Sequence, residues 1–333
     1  MNERKSRLKA DPTDWLLQDD NPSVRYLTLK DLLGKKEQDD EVSEARARIM
    51  EVGPVPKILA KQNPDGSWEV PEDFYSRTKY RGTVWNLIVL AELRADPEDA
   101  KVNAACEFVM KWSQDRSSGG FSHRGTGQRG GQRSGVICCL TGNMAFSLSR
   151  LGYARDPRVI KALDWITTYM RYEIVSEAPQ EWPYTSFHCW RDHTCRSGAV
   201  KTLKALAEVP KKERTKAIQA KIEEGAEYLL AQHIFKKPPG LRSVARKEWL
   251  KFGFPLMWNT DILEILDILT RLGYRDERMN EAMEVVLSKQ GEDGRWRQEN
   301  RFNGRFATTI ERNGAASKWV TLNAMRTLAA LSK

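Results

Sequence analysis

Residues 188–198, HCWRDHTCRSG, bring His188, Cys189, Asp192, His193 and Cys195 together in a chain of 333 residues with only four histidines and five cysteines. Sulfur, imidazole and carboxylate at this density could build a tetrahedral zinc site or a reactive thiolate. A second cysteine motif stands 56 residues earlier, where Cys139-Leu-Thr-Gly142 matches Cys195-Arg-Ser-Gly198. If the two motifs open neighbouring helices, Cys139 meets Cys195, and Cys189 and His193 fold over the same point. That would be a Cys3His ligand set for zinc, and a helix N-terminus favours the thiolate that zinc prefers. The other readings are a thiol without metal and plain packing of small core cysteines, for Cys138 and Cys139 as for Cys106 on an outer helix. Asp192 and Cys195 are the candidate catalytic groups of this segment. Asp261, which also falls at an expected helix start, is a third candidate, as an acid or as a partner for the helix dipole.

Cations crowd the stretches that lead into the apolar runs. Arg77, Lys79 and Arg81 precede the run from Thr83, Arg129 and Arg133 precede the run from Cys139, and Arg196 follows Cys195. Together with helix N-termini they would hold an anionic head such as a diphosphate or carboxylate. Trp85, Trp258 and Trp319 lie in or beside the same runs and would wall a pocket for an apolar tail. The plainer alternatives are a solvated rim with acidic partners such as Glu69 and Glu181, and aromatic rings that serve as core.

These groups can converge only if a repeat positions them. Apolar helix-like runs begin at Thr83, Cys139, Cys195, Thr260 and Ser317, at steps of 56, 56, 65 and 57 residues, with a weaker run from Asn21. Serine, threonine and asparagine are good helix N-caps, so four of the six positions read as helix starts. More polar helical stretches alternate with the runs, at about 40–61, 97–113, 156–172, 214–232 and 276–290. Each unit is therefore a helical hairpin with one apolar and one amphipathic member. The pattern predicts an all-α fold, a closed α/α toroid of about six hairpins with apolar helices inside. One domain over residues 1–333 follows, with 1–20 as an N-terminal extension packed on the ring.

The loops carry a family likeness. Gln62…Gly66-Ser67-Trp68 and Gln290…Gly294-Arg295-Trp296 resemble the QW repeat of squalene and oxidosqualene cyclases. Gly119-Gly120-Phe121 resembles the GGF repeat of protein prenyltransferase β subunits, and the chain is also similar to a bacterial branch labelled prenyltransferase- or cyclase-like. The resemblance spans nearly the whole chain. It implies the α/α toroid and an isoprenoid or other apolar ligand with an anionic head. It also implies a transferase zinc, whose Asp and Cys would correspond to Asp192 and Cys195. The chain departs from both families: it has no D-x-D-D acid, and the runs from Thr260 and Ser317 contain no histidine. A non-catalytic binding or scaffold toroid is therefore a second expectation, and a carbohydrate-active hydrolase or lyase is a third. As staples, the glycines permit tight turns, the aromatics pack between hairpins and the glutamines bridge helix ends.

Composition limits the partners. Apolar residues make up 40% and charged residues 30%, with eleven tryptophans, which supports a substantial core. The longest apolar stretches, 84–93 and 140–148, are about half a membrane span, and residues 1–10 lack a signal peptide's apolar segment. A cytoplasmic protein with thiol cysteines is expected. The net charge of +9 suits an anionic small molecule, and no nucleic-acid-binding module is evident.

Overall fold

The computed structural model describes residues 8–75, 80–174, 179, 181–184, 194–238, 240–300 and 306–331. Thirteen α-helices are numbered in chain order among them. The inner set is α2 (Pro22–Leu27), α5 (Thr83–Glu92), α7 (Cys138–Leu148), α9 (Arg196–Ala207), α11 (Ile262–Arg271) and α13 (Lys318–Leu331). The outer set is α3 (Asp40–Arg48), α4 (Pro54–Leu59), α6 (Ala100–Ser113), α8 (Pro157–Tyr169), α10 (Lys216–Leu230) and α12 (Asn280–Ser288), and α1 is the single turn Thr13–Leu16. A two-stranded hairpin, Gly125–Thr126 with Gly130–Gly131, sits in the glycine-rich loop before α7.

The inner helices close a ring. Along it α5 packs on α7, α7 on α9, α9 on α11, α11 on α13 and α13 on α2. The Ser23 hydroxyl then joins α2 back to the end of α5 by donating to the Leu93 carbonyl at 2.7 Å. The α/α toroid and its inner and outer sets are as the repeat predicts, because helices that are apolar all round must be covered on every side. Burial agrees: in α5 every residue but Glu92 is buried.

Two local expectations are corrected. The stretch 40–61 is not one helix, because Gly53 adopts φ 89° and Pro54 starts α4 at its first position, where a proline fits but cannot continue an earlier helix. Of the four expected caps, Asn21 accepts from the Val24 amide and Ser317 from the Val320 amide. Thr83 and Thr260 do not cap their helices: Gly82 precedes α5, and the Asp261 carboxylate caps α11 by accepting from the Glu264 amide at 2.8 Å.

Thr83 is used differently. Its hydroxyl accepts from the Trp68 amide at 3.1 Å, as Thr141 does from Phe121 at 2.9 Å and Thr321 from Trp296 at 3.0 Å. In the same loops Gln62 donates to Gly66 and Lys101 carbonyls, Gln114 to Gly119 and Arg158, and Gln290 to Gly294 and Ala10. Each glutamine thus ties its own turn to the next element around the ring. The glycines touch that neighbour: a Cβ on Gly66, Gly119 or Gly294 would lie 2.3–2.6 Å from the carbonyl oxygen of Ala104, Lys161 or Ala10. The segment around Ala10 therefore takes, for the last loop, the seat an outer helix takes for the other two.

Candidate functional site

The paired Cys-x-x-Gly motifs meet, as the repeat predicts, but their glycines explain much of the pattern. Helices α7 and α9 cross so closely that a Cβ on Gly142 would sit 2.4 Å from the Lys201 backbone. A Cβ on Gly198 would sit 2.9 Å from that of Cys138 and 3.6 Å from that of Cys195. Cys138 is buried, whereas Cys139 and Cys195 are half-buried at the mouth end of the crossing. Cys189, Asp192 and His193 lie outside the described residues, as do Arg77 and Lys79. Among the described residues no group of three or more His, Cys, Asp or Glu side chains is arranged to hold a metal.

The described rim cations are spread around the mouth. Arg81 pairs with Glu69 at 3.4 Å, and Arg133 lies 4.1 Å over the Trp182 ring. Arg129 is exposed, and Arg196 is buried beside Tyr228. Of the three tryptophans, Trp85 packs on Tyr75 at 4.9 Å and Tyr80 at 5.5 Å, and Tyr80 stacks on Phe306 at 5.2 Å. Trp319 stacks flat on Phe254 at 4.1 Å, and Trp258 is partly buried against the core.

Phe254 belongs to a segment that fills the ring. Within residues 252–260, Phe252, Phe254 and Met257 are buried. Asn143 of α7 donates to the Met257 carbonyl at 3.2 Å, and the Gln298 side chain pairs with both backbone groups of Phe254. The aromatic interior expected from the sequence is thus occupied on this side by the chain itself.

What remains along the axis is lined mostly by charged groups, with Phe254, Leu256 and Leu263 as its apolar part. Helix α11 carries Asp261, Glu264, Asp267 and Arg271 at spacings of three, three and four, which places them on one face. They line a narrow cleft of about 40 Å³ together with Glu92, Arg150, Lys204, Asn323 and Arg326. That volume admits a few water molecules. Lys201, 1% exposed, donates to both Glu264 oxygens at 2.7 Å, and Lys204 bridges Glu264 to Glu92. Arg150 grips Glu208 with two bonds of 2.9 and 3.0 Å, Arg271 joins Glu208 to Asp267, and Arg326 joins Asp267 to Asp31. This belt runs from Glu264 in the first turn of α11 to Asp31 and Arg150 just past α2 and α7, and it ties all six inner helices together.

The two carboxylates nearest the mouth end of the cleft are driven apart. Burial raises Asp261 to about 7, against the pull of the Glu264 and Gly253 amides that bond it. Burial also opposes ionisation of Glu264, but Lys201 and Lys204 outweigh it and hold that carboxyl at about 2. Near neutral pH the site therefore offers one carboxyl able to exchange a proton beside one that stays ionised, the division of labour an acid–base site needs. The sequence reading included Asp261 and missed Lys201, Lys204 and Glu264. Their i, i+3 spacing was available in the sequence. Glu311, also raised to about 7 by burial and accepting from the Trp319 amide, lies in an irregular loop with no periodicity to mark it.

Fold and site together define the class, an α/α toroid with a charged axis. No family model matches the chain, and no curated protein matches it significantly. Among solved structures, a family 76 glycoside hydrolase from a bovine Bacteroides thetaiotaomicron strain superposes with a TM-score of 0.51 at 12% identity, over 95% of this chain and 68% of that one. A protein from Actinoplanes gives 0.46 at 16% identity, over 96% and 90%. The type II terpene cyclase MstE from Scytonema gives 0.44 at 16%, over 94% and 88%. These likenesses concern the fold. Among the described residues no helix is long and apolar enough to cross a membrane.

Proposed function

We propose that this toroid is an enzyme performing acid–base chemistry on a polar small molecule that presents one hydroxyl group to the axial cleft, whose volume of about 40 Å³ takes a hydroxyl or a few waters but not a whole sugar ring. Asp261 exchanges the proton, and the ionised Glu264, with Lys201 and Lys204, orients the ligand and stabilises developing charge. The observation that carries this reading is the separation of two carboxyls on one helix face, Asp261 near 7 and Glu264 near 2, in a water-accessible cleft. A lining of carboxylates, ammonium and guanidinium groups suits hydroxyl groups better than an apolar chain, so carbohydrates are the first class to test. Wild type and Asp261→Asn would be compared on a panel of chromogenic glycosides, with infrared difference spectra locating the Asp261 protonation. Turnover falling at least a hundredfold in the variant supports the reading. A carboxyl titrating near 4, or turnover indifferent to the substitution, overturns it.

The mouth favours a second reading, carried by the aromatic group of Tyr75, Tyr80, Trp85 and Phe306 beside Arg81. There an isoprenoid or other apolar tail would lie on the rings with its anionic head among the rim cations. Cys139 and Cys195, with Cys189 and His193, would hold a zinc. Elemental mass spectrometry of purified protein would find about one zinc per chain, lost in Cys195→Ser. A metal-free wild type would remove the zinc from this reading.

A further inference from the structure

The belt at the far end of the ring contains one cation too many. Lys201, Lys204, Arg150, Arg271 and Arg326 are matched by Glu264, Glu92, Glu208, Asp267 and Asp31, and every one of these ten makes an ion pair. Arg94 is the eleventh member. The largest influence on it is the like charge of Arg150, followed by burial, while Glu208, Arg326 and Asp31 act on it more weakly. Among the described residues its guanidinium makes no ion pair, and its buried Nε has no hydrogen-bond partner. Five donors in a fixed fork, set beside a second guanidinium, call for an oxyanion.

The backbone makes the same point independently. Arg94 is the residue just past the C-cap of α5, with φ 63°, and its neighbour's amide closes back on Leu90. The matching residue after α11 is Gly273, with φ 94° and the same return from Tyr274 to Leu269, and after α7 it is Gly152, also at φ 94°. Sequence shows the equivalence: ELRA at 92–95 stands where RLGY stands at 150–153 and 271–274. The turn wants glycine, yet here it carries an arginine whose charge finds no partner in the belt. A residue that loses on conformation and on charge in the empty protein is one a bound anion can repay.

We propose that Arg94, with Arg150 and Arg326, forms a binding site for a small oxyanion, a phosphate or carboxylate group, at the C-terminal end of the inner ring. Arg271, which joins the same belt through Glu208, stands about 15 Å along α11 from Asp261. Arg150 and Arg326 also line the axial cleft, but Arg94 does not, so the Arg94 variants test this site separately from the acid–base reading.

The test is thermal unfolding of the full chain in sodium phosphate and in sodium acetate, each against sodium chloride of equal ionic strength, for wild type, Arg94→Gly and Arg94→Gln. Arg94→Gly restores the residue the other turns use, so it is expected to fold, with an anion-free midpoint at or above wild type. The wild type should show a saturable rise in midpoint with one of the two oxyanions beyond chloride, and the arm that responds identifies phosphate or carboxylate. Both variants should lose at least tenfold in apparent affinity. A wild type that responds no better to either oxyanion than to chloride, or variants that respond like wild type, would overturn the site.

Discussion

The two ends of the ring are held by different chemistry. At the mouth, Gln62, Gln114 and Gln290 make the same pair of neutral hydrogen bonds in three of the six units, and Trp68, Phe121 and Trp296 hang from equivalent threonines. At the base the inner helices contribute charges of both signs: Arg150 and Arg271 share one repeat position, where α5 carries Glu92, and Glu208 pairs with both arginines. Neutral hydrogen bonds between adjacent units can be copied with the unit, because both partners come along. Charges gathered on an axis cannot all be copies, since six identical charges would repel. The repeat therefore builds the wall, and departures from it build the interior.

Removing one partner from the belt should have the largest effect. Glu264→Gln strands the buried ammonium of Lys201 and leaves Lys204 with Glu92 alone, and it is expected to cost about 3–5 kcal/mol, measured by denaturant unfolding. The pair Lys201→Met with Glu264→Met should cost much less, because no unpaired charge remains on that rung. If the single and double variants are equally damaged, the belt acts through packing rather than charge.

Next comes the pH dependence of Asp261. Its folded pKa lies above the unfolded value near 3.8, so the folded state holds its proton longer. This term favours folding below about pH 4 and is progressively lost as pH rises toward 7. The stability of Asp261→Asn relative to wild type should therefore shift in the variant's favour by about 2–4 kcal/mol between pH 4 and pH 8, levelling off above 7. A flat difference would show that the carboxyl is ionised throughout. Glu264 contributes with the opposite sign: its stabilisation is present above about pH 4.5 and is lost as pH falls toward 2.

At the mouth, Gln114→Ala removes two hydrogen bonds to backbone carbonyls and should cost about 1–2 kcal/mol. Gln62→Ala and Gln290→Ala should match it closely and change little with salt. A Gln290 value well below the others would show that the N-terminal segment is a weaker closure than an outer helix. The smallest effect belongs to the exposed pairs on the outer wall. Arg158 meets Glu107 at 2.7 Å just as Arg278 meets Glu227, yet Glu107→Gln should cost under about 1 kcal/mol and vanish in high salt.

The candidate site was legible in the sequence only where it coincides with the repeat. Cys139, Cys195 and Asp261 were found because they stand at helix starts, which a step of 56 to 65 residues marks. The stripe Asp261, Glu264, Asp267, Arg271 and the pair Lys201, Lys204 have the same helical spacing as an exposed amphipathic face. A polar stripe on a helix looks identical whether it meets water or another helix.

By itself the sequence determined the units and their direction, because periodicity, turn residues and caps act between residues a few positions apart. Asn21 and Ser317 cap their helices, Gly53 and Pro54 divide the first outer stretch, and Gly66, Gly119 and Gly294 permit the close turns. Only the tertiary structure decided which polar groups lie on the axis. Lys201 meets Glu264 across 63 residues, Arg150 meets Glu208 across 58, and Arg326 meets Asp31 across 295. No local pattern relates those partners. Ring closure brings them together and excludes most of the water; that exclusion raises Asp261, while the Lys201 and Lys204 charges gathered by the same closure hold Glu264 down.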